Sequence, residues 1–283
     1  MKVLNSGAIA LDARKRRIGV FDSGVGGLTV LREFYRQLPN ESLLYLADTA
    51  RLPYGTRSPA EIVQFSREIL SWMENQGVKM VVMACNTSSA LALDVVRQEF
   101  DLPIVGLILP AAKVAVNQGR RIGVIATPIT AESNAYRRAM VEVDPTVQVW
   151  QVGCPEFVPA IEAGRLQDPE TIAVAKDYLA PLIDCQIDTL VYGCTHYPHL
   201  AGTIESLLPP GVQTIDPAEH VVAAAAQELD LLNLRHGGQP QPTRFCVTGD
   251  GDRFAQLAQR WLGCAPLVDR VKLLEADRAA VNS

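Results

Sequence analysis

Arg17-Ile18-Gly19-Val20-Phe21-Asp22-Ser23 and, 104 residues later, Arg121-Ile122-Gly123-Val124-Ile125-Ala126-Thr127 are two versions of one segment. Each is a short β-branched run that ends in a hydroxyl residue, the pattern of a buried strand meeting its loop. A second pair repeats at a similar offset: Met83-Ala84-Cys85-Asn86-Thr87 and Tyr192-Gly193-Cys194-Thr195-His196 lie 109 residues apart. Two unrelated pairs at like offsets predict two domains of one plan, facing each other across a cleft.

Working outward, further strands are predicted over 42–46, 80–84, 104–106, 147–151, 189–192 and 213–215, with helices over 28–37, 59–76 and 169–182. Near-continuous apolar strands alternating with amphipathic helices imply parallel sheets covered on both faces. The expected class is α/β, with two similar Rossmann-like or flavodoxin-like domains. The first would take residues 1–107 plus 213–283 and the second 108–212. The crossings would fall at Leu107-Ile108-Leu109-Pro110 and near Pro209-Pro210-Gly211, after which Thr214-Ile215-Asp216-Pro217 rejoins the first domain. Asp250 to Leu262 reads as a final amphipathic helix, and the polar stretch around Pro240-Gln241-Pro242 as a surface loop.

Composition narrows the function. The chain has 283 residues, 48% hydrophobic and 20% charged, enough apolar side chain to exclude disorder as a description of the whole. A net charge of −5 argues against nucleic acid or an anionic membrane as partner. No window approaches the roughly 18 apolar residues of a membrane span. The lead before Arg17 has a short apolar stretch carrying Asp12, unlike a targeting signal. The six cysteines include no CxxC pair and read as reduced thiols, so a cytoplasmic protein is expected.

In open α/β sheets ligands sit at the carboxyl ends of the strands. The residues placed there are Asp22-Ser23-Gly24, Asp48-Thr49, Cys85-Asn86-Thr87-Ser88, Thr127 and Cys194-Thr195-His196. The loop Asp22 to Leu28 offers backbone N–H groups to a carboxylate or phosphate, or is simply a tight strand-to-helix turn; the glycine spacing of a nucleotide site is not met. Buried cysteines usually serve as small hydrophobes, and Cys154, Cys185, Cys246 and Cys264 are read so. Cys85 and Cys194 differ because they hold matching places in the two halves, each at a helix start whose dipole favours thiolate. Two thiols across a cleft suit inversion of a carbon centre, one taking a proton and the other returning one to the opposite face. Open beside this are a zinc site of Cys194, His196 and His199, and a hydrolase pairing Cys194 with His196. His196 is either a structural histidine or the group that polarises Cys194. Tyr54-Gly55 is a turn or a loop that closes over a ligand.

Phe21 to Val30, Ala47 to Gly55, Ala84 to Thr87 and Gly193 to Pro198 resemble the glutamate racemases of the aspartate/glutamate racemase family, in order and spacing, from about residue 17 to the final helix. Cys154 to Pro159, with Glu162, is similar to the family's mid-chain segment. The resemblance implies a cofactor-independent, two-base interconversion of L- and D-glutamate, the D isomer serving the peptidoglycan stem. It implies Cys85 as the base toward D-glutamate, assisted by Asp22, and Cys194 as the base toward L-glutamate, assisted by His196, with Glu162 a further helper. Asp22, Ser23, Tyr54, Gly55, Asn86, Thr87, Thr127, Thr195 and His196 would bind substrate. Departures from the family pattern, at Ala47, Tyr192 and His199, touch no motif residue. No metal or cofactor is expected, a homodimer is, and the alternatives are an aspartate racemase of the same family or a non-catalytic amino-acid-binding protein.

Overall fold

The computed structural model describes residues 13–273. The N-terminal lead as far as Asp12, and the outer limits expected for the first domain at residues 1 and 283, lie outside them. The strands are β1 (Ile18–Asp22), β2 (Leu43–Ala47), β3 (Met80–Met83), β4 (Ile104–Gly106), β5 (Arg121–Ala126), β6 (Gln148–Gly153), β7 (Thr189–Gly193), β8 (Gln213–Ile215), β9 (Arg244–Val247) and β10 (Val268–Arg270). They form a six-stranded sheet, order β10-β9-β2-β1-β3-β4, and a four-stranded sheet, order β6-β5-β7-β8. Every pairing within both sheets is parallel.

The shared stretch β2-β1-β3-β4 and the whole of β6-β5-β7-β8 have the same order, so the repeat seen in sequence is a repeat of topology. The two repeated segments are β1 and β5, and the two repeated cysteines follow β3 and β7. In both sheets these neighbours flank the point where strand order reverses, which is where such folds bind ligands.

Both faces of each sheet are covered, which is why the strands read as unbroken apolar runs. On one face of the larger sheet Ile18 and Val20 pack with Leu31 and Phe34 of helix Leu28–Gln37 and Val221 and Leu229 of helix Pro217–Leu231. On the other, Phe21 and Leu46 meet Ile62, Ile69 and Met73 of helix Pro59–Asn75. That helix starts where expected because Ser58 and Glu61 form a capping box. In the smaller sheet Ile122 and Val124 pack with Ala111 and Ala115 of helix Ile108–Gln118, while Leu107 just before it packs in the core of the larger sheet.

The second crossing does not fall where expected. Gln213–Ile215 pairs with β7 and belongs to the smaller sheet. The return comes after Ile215, where Asp216 caps helix Pro217–Leu231 by accepting from Ala218 N at 2.9 Å. A boundary at 213 would leave the edge of β7 unpaired. β9 and β10, unread in the sequence, extend the larger sheet beyond β2.

At the strand ends away from the carboxyl rim, Lys79 and Glu41 form an ion pair at 2.5 Å, each side chain 1% exposed. Lys79 Nζ also donates to the carbonyls of Arg14 (2.7 Å) and Leu234 (2.9 Å), while Glu41 accepts from His236 N (2.8 Å). The pair therefore ties together four separate chain segments. Lys79→Met leaves a buried carboxylate without its partner and should cost about 3–5 kcal/mol in urea unfolding. Arg36→Ala, which loses only exposed pairs with Glu33 and Glu219, should leave the unfolding midpoint in place.

Candidate active site

The carboxyl ends of the two sheets enclose a cavity of about 620 Å³ lined by residues of both halves. It brings together Asp22, Ser23, Tyr54, Gly55, Cys85, Asn86, Thr87, Thr127, Glu162, Cys194, Thr195 and His196, whereas Asp48 and Ser88, also expected at the rim, are buried behind it. All six cysteines are free thiols, and Cys85 and Cys194 are both buried against this space.

Asp22 ends β1 and is fully enclosed. Its Oδ2 accepts from the backbone N–H of Gly24 (3.2 Å) and Gly27 (2.8 Å), so the loop offered as an anion cradle is wrapped around the protein's own carboxylate. Burial raises the Asp22 pKa, against the pull of the His196 charge and these N–H groups. The glycines are needed here. A Cβ on Gly27 would sit 2.6 Å from Asp22 Cβ, and one on Gly26 would sit 2.4 Å from Thr195 Oγ1 and 2.5 Å from His196 Nδ1. Gly26 thus lets the first half's loop lie against the second half's Cys194–His196 turn.

Cys85 occupies the N-cap position of the short helix Asn86–Leu91, 4.0 Å from Ser23 Oγ. The expected dipole effect on this thiol is overturned. Burial, then the neighbouring Asp22 charge, push it up to about 12, outweighing the backbone N–H of Ser88. Cys85 is held as the thiol.

The second side is built differently. Cys194 follows β7 and leads into a single turn of 3₁₀ helix, Tyr197–Leu200, not an α-helix. His196 Nδ1 lies 3.8 Å from Cys194 Sγ, and Nε2 lies 3.3 Å from Glu162 Oε1. Burial alone would lower the His196 pKa, but the contacts with Cys194 and Glu162 reverse this and lift it to about 10. Glu162 is correspondingly lowered, chiefly by its hydrogen bond with His196. The result is an imidazolium between a carboxylate and a sulfur, arranged to hold a thiolate or pass it a proton.

Between the thiols lie hydrogen-bonding groups, one of them unspent. Asn86 Oδ1 accepts from Tyr136 OH of the other half at 2.6 Å, yet Asn86 Nδ2 is buried with no partner. A buried amide left unpaired in a cleft calls for an acceptor. Thr87, Thr127 and Thr130 join their hydroxyls in a triangle of 2.9–3.2 Å across the halves. Tyr54 is anchored because its hydroxyl donates to Asp48, which also accepts from Arg51 (2.6 Å) and Thr248 (2.7 Å).

Some lining residues escaped sequence reading. Behind the lining, Thr130, which belongs to no motif, is bonded to the hydroxyls of Thr87 and Thr127. Asp250, Arg253, Phe254 and Leu257 come from the N-cap and helix Gly251–Leu262, so the rim carries one cation, Arg253, that was not anticipated. The amphipathic pattern marks this helix, but nothing in it marks Arg253 as a lining residue. The zinc alternative fails on geometry: His199 packs on Trp261, and among the described residues no three His, Cys, Asp or Glu side chains converge as metal ligands.

His196 supplies a pH test. Its pKa is raised from 6.5 to about 10 on folding, so its stabilising contribution is complete below about pH 6.5 and fades as pH climbs through 10. The thermal midpoint of the native protein minus that of His196→Gln should be largest near pH 6 and shrink toward pH 10. A flat difference across that window contradicts a protonated His196.

Comparison with known proteins agrees with this architecture. The family model described as Asp/Glu/Hydantoin racemase matches residues 18–225. A glutamate racemase of Nostoc sp. (strain PCC 7120 / SAG 25.82 / UTEX 2576) is 66% identical over 265 residues, covering 94% of this chain and 91% of that one. The crystal structure of glutamate racemase isoform RacE1 from Bacillus anthracis superposes with a TM-score of 0.88 at 37% identity, covering 92% of this chain and 98% of that one. Glutamate racemase from Francisella tularensis in complex with D-glutamate gives a TM-score of 0.86 at 34% identity, covering 92% and 98%. By the extent of the family match and the identity to these relatives, the chain belongs to the Asp/Glu/Hydantoin racemase family.

Proposed function

We propose that this chain interconverts L- and D-glutamate without a cofactor, by proton transfer at the α-carbon between Cys85 and Cys194. The observation that carries the proposal is the placement of two thiols, at equivalent positions of two repeated halves, on one enclosed cavity. Glutamate as substrate is supported by the names of the close relatives and by the D-glutamate held in the Francisella structure.

The surroundings of the two thiols suit the chemistry in one direction at once. Cys85, held as a thiol, is ready to give a proton, while His196 lies 3.8 Å from the sulfur of Cys194, the group that takes one. Cys194 removes the α-proton of L-glutamate and Cys85 protonates the opposite face. The enzyme is left with Cys194 as thiol and Cys85 as thiolate, the form that receives D-glutamate. The α-proton is weakly acidic, so charge building on the α-carboxylate must be stabilised. Ser23, Thr87, Thr195 and the unspent Asn86 amide are the donors for this, each worth on the order of 3 kcal/mol when well placed. Asp22 assists Cys85, Glu162 steadies His196, and Tyr54, Gly55 and Thr127 complete the substrate pocket. Two domains, residues 13–107 with 216–273 and residues 108–215, close on the substrate and exclude water. A single-nucleophile hydrolase leaves Cys85 without a part to play. We place the enzyme in the cytoplasm as a homodimer, its product feeding the peptidoglycan stem.

The test is circular dichroism with L-glutamate, then L-aspartate, in deuterated water with no added cofactor. Loss of optical signal with glutamate, with deuterium appearing at the α-carbon, is the expected result; activity confined to aspartate would change the substrate. Cys85→Ala and Cys194→Ala should each lower kcat/KM by about a thousandfold or more while the fold persists. Either variant turning over normally overturns the two-base scheme. The equilibrium constant between enantiomers is unity, so kcat/KM must be equal from both sides. Asn in place of Asp22 or His196 therefore shows its sidedness in kcat and KM separately.

A further inference from the structure

Trp261 sits near the end of helix Gly251–Leu262, whose Phe254 and Ala258 are buried in the core of the first half. Its indole reaches out of that half. It meets the His196 ring nearly at right angles, centroids 5.5 Å apart and planes at 87°, and lies against the His199 ring at 4.1 Å and 34°. Trp261 packs against an apolar cluster of each half. Cys194, His196 and Glu162 all belong to the second half, so the group serving Cys194 is walled by a side chain of the first.

The contacts of His196 leave that wall something to do. Nδ1 faces Cys194 at 3.8 Å and Nε2 faces Glu162 at 3.3 Å. Both are long, and together they leave the ring room to roll about its Cβ–Cγ bond. An edge-to-face aromatic contact resists that roll. The indole is itself braced: His199 Nε2 is buried without a partner, and burial lowers its pKa to about 4, so it stacks as a neutral ring. Arg260, beside Trp261, donates to the Glu162 carbonyl at 3.4 Å and fixes the helix against the same corner.

We propose that Trp261, braced by His199, is a positioning residue for the Cys194 side of the reaction, fixing the roll of the His196 ring so that proton transfer at Cys194 depends on docking of the final helix. The proposal rests on the racemase function argued above. Trp261→Leu keeps apolar bulk but removes the aromatic wall, and Trp261→Phe restores a smaller one. The measurement is kcat/KM for both enantiomers, each with hydrogen or deuterium at the α-carbon.

Trp261→Leu should lower kcat/KM by about tenfold, the scale of a small misplacement at a reacting centre. The deuterium effect should rise with L-glutamate, whose α-proton Cys194 removes, and should not rise with D-glutamate. Trp261→Phe should recover most of the loss. His199→Leu, which removes the brace and leaves the indole, should give the same signature with a smaller loss and serves if Trp261→Leu fails to fold. Wild-type kcat/KM in Trp261→Leu, or isotope effects rising equally from both enantiomers as general loosening would give, overturns the proposal alone. Native protein inert on both enantiomers overturns the racemase function and this role with it.

Discussion

A parallel sheet places every strand's carboxyl end on the same edge, and residues that follow those strands are gathered there however far apart they lie in the chain. Here that rule acts twice. The edge after β1 and β3 collects Asp22 and Cys85, and the edge after β5 and β7 collects Thr127 and Cys194. Turned toward each other, the two edges enclose a cavity with a thiol from each half. A reaction that must remove a proton from one face of a carbon and return it to the other needs two such groups on opposite walls. A duplicated sheet supplies them from one structural plan.

Duplication did not make the two sides chemically alike. Cys85 is fenced by burial and a buried carboxylate, both of which favour the neutral thiol. Cys194 has beside it an imidazole whose second nitrogen is engaged by Glu162. Asp22 itself is held by two backbone N–H groups of its own loop, so its position is set by local folding and not by substrate. The loop that encloses Asp22 also reaches Thr195 and His196 through the bare Cα of Gly26, which joins the two unlike sides mechanically.

Much of this was legible in the sequence because burial on both faces writes strands as apolar runs and because the repeat fixed which strands correspond. β1 to β8 fell within a residue or two of their expected places. β9 and β10 were not read. Arg244-Phe245-Cys246-Val247 is a short run after a Pro-rich loop, and Val268-Asp269-Arg270 is mostly polar because it is the sheet's edge. β8 was seen but assigned to the wrong sheet, since pairing depends on neighbours that local sequence does not encode. The motif residues of the site were all legible. Thr130, Arg253 and Trp261 were not, because each reaches the site through packing of an element whose own sequence carries no sign of chemistry. The unspent amide of Asn86 was equally hidden, since it follows from Tyr136 occupying the other end of the same group.

The chain passes between the halves twice, after Leu107 and after Ile215, so the halves are tethered at two separate points. Bodies joined at two points resist sliding and twisting more than bodies joined at one. The double tether therefore keeps the walls that carry Cys85 and Cys194 facing each other across the cavity.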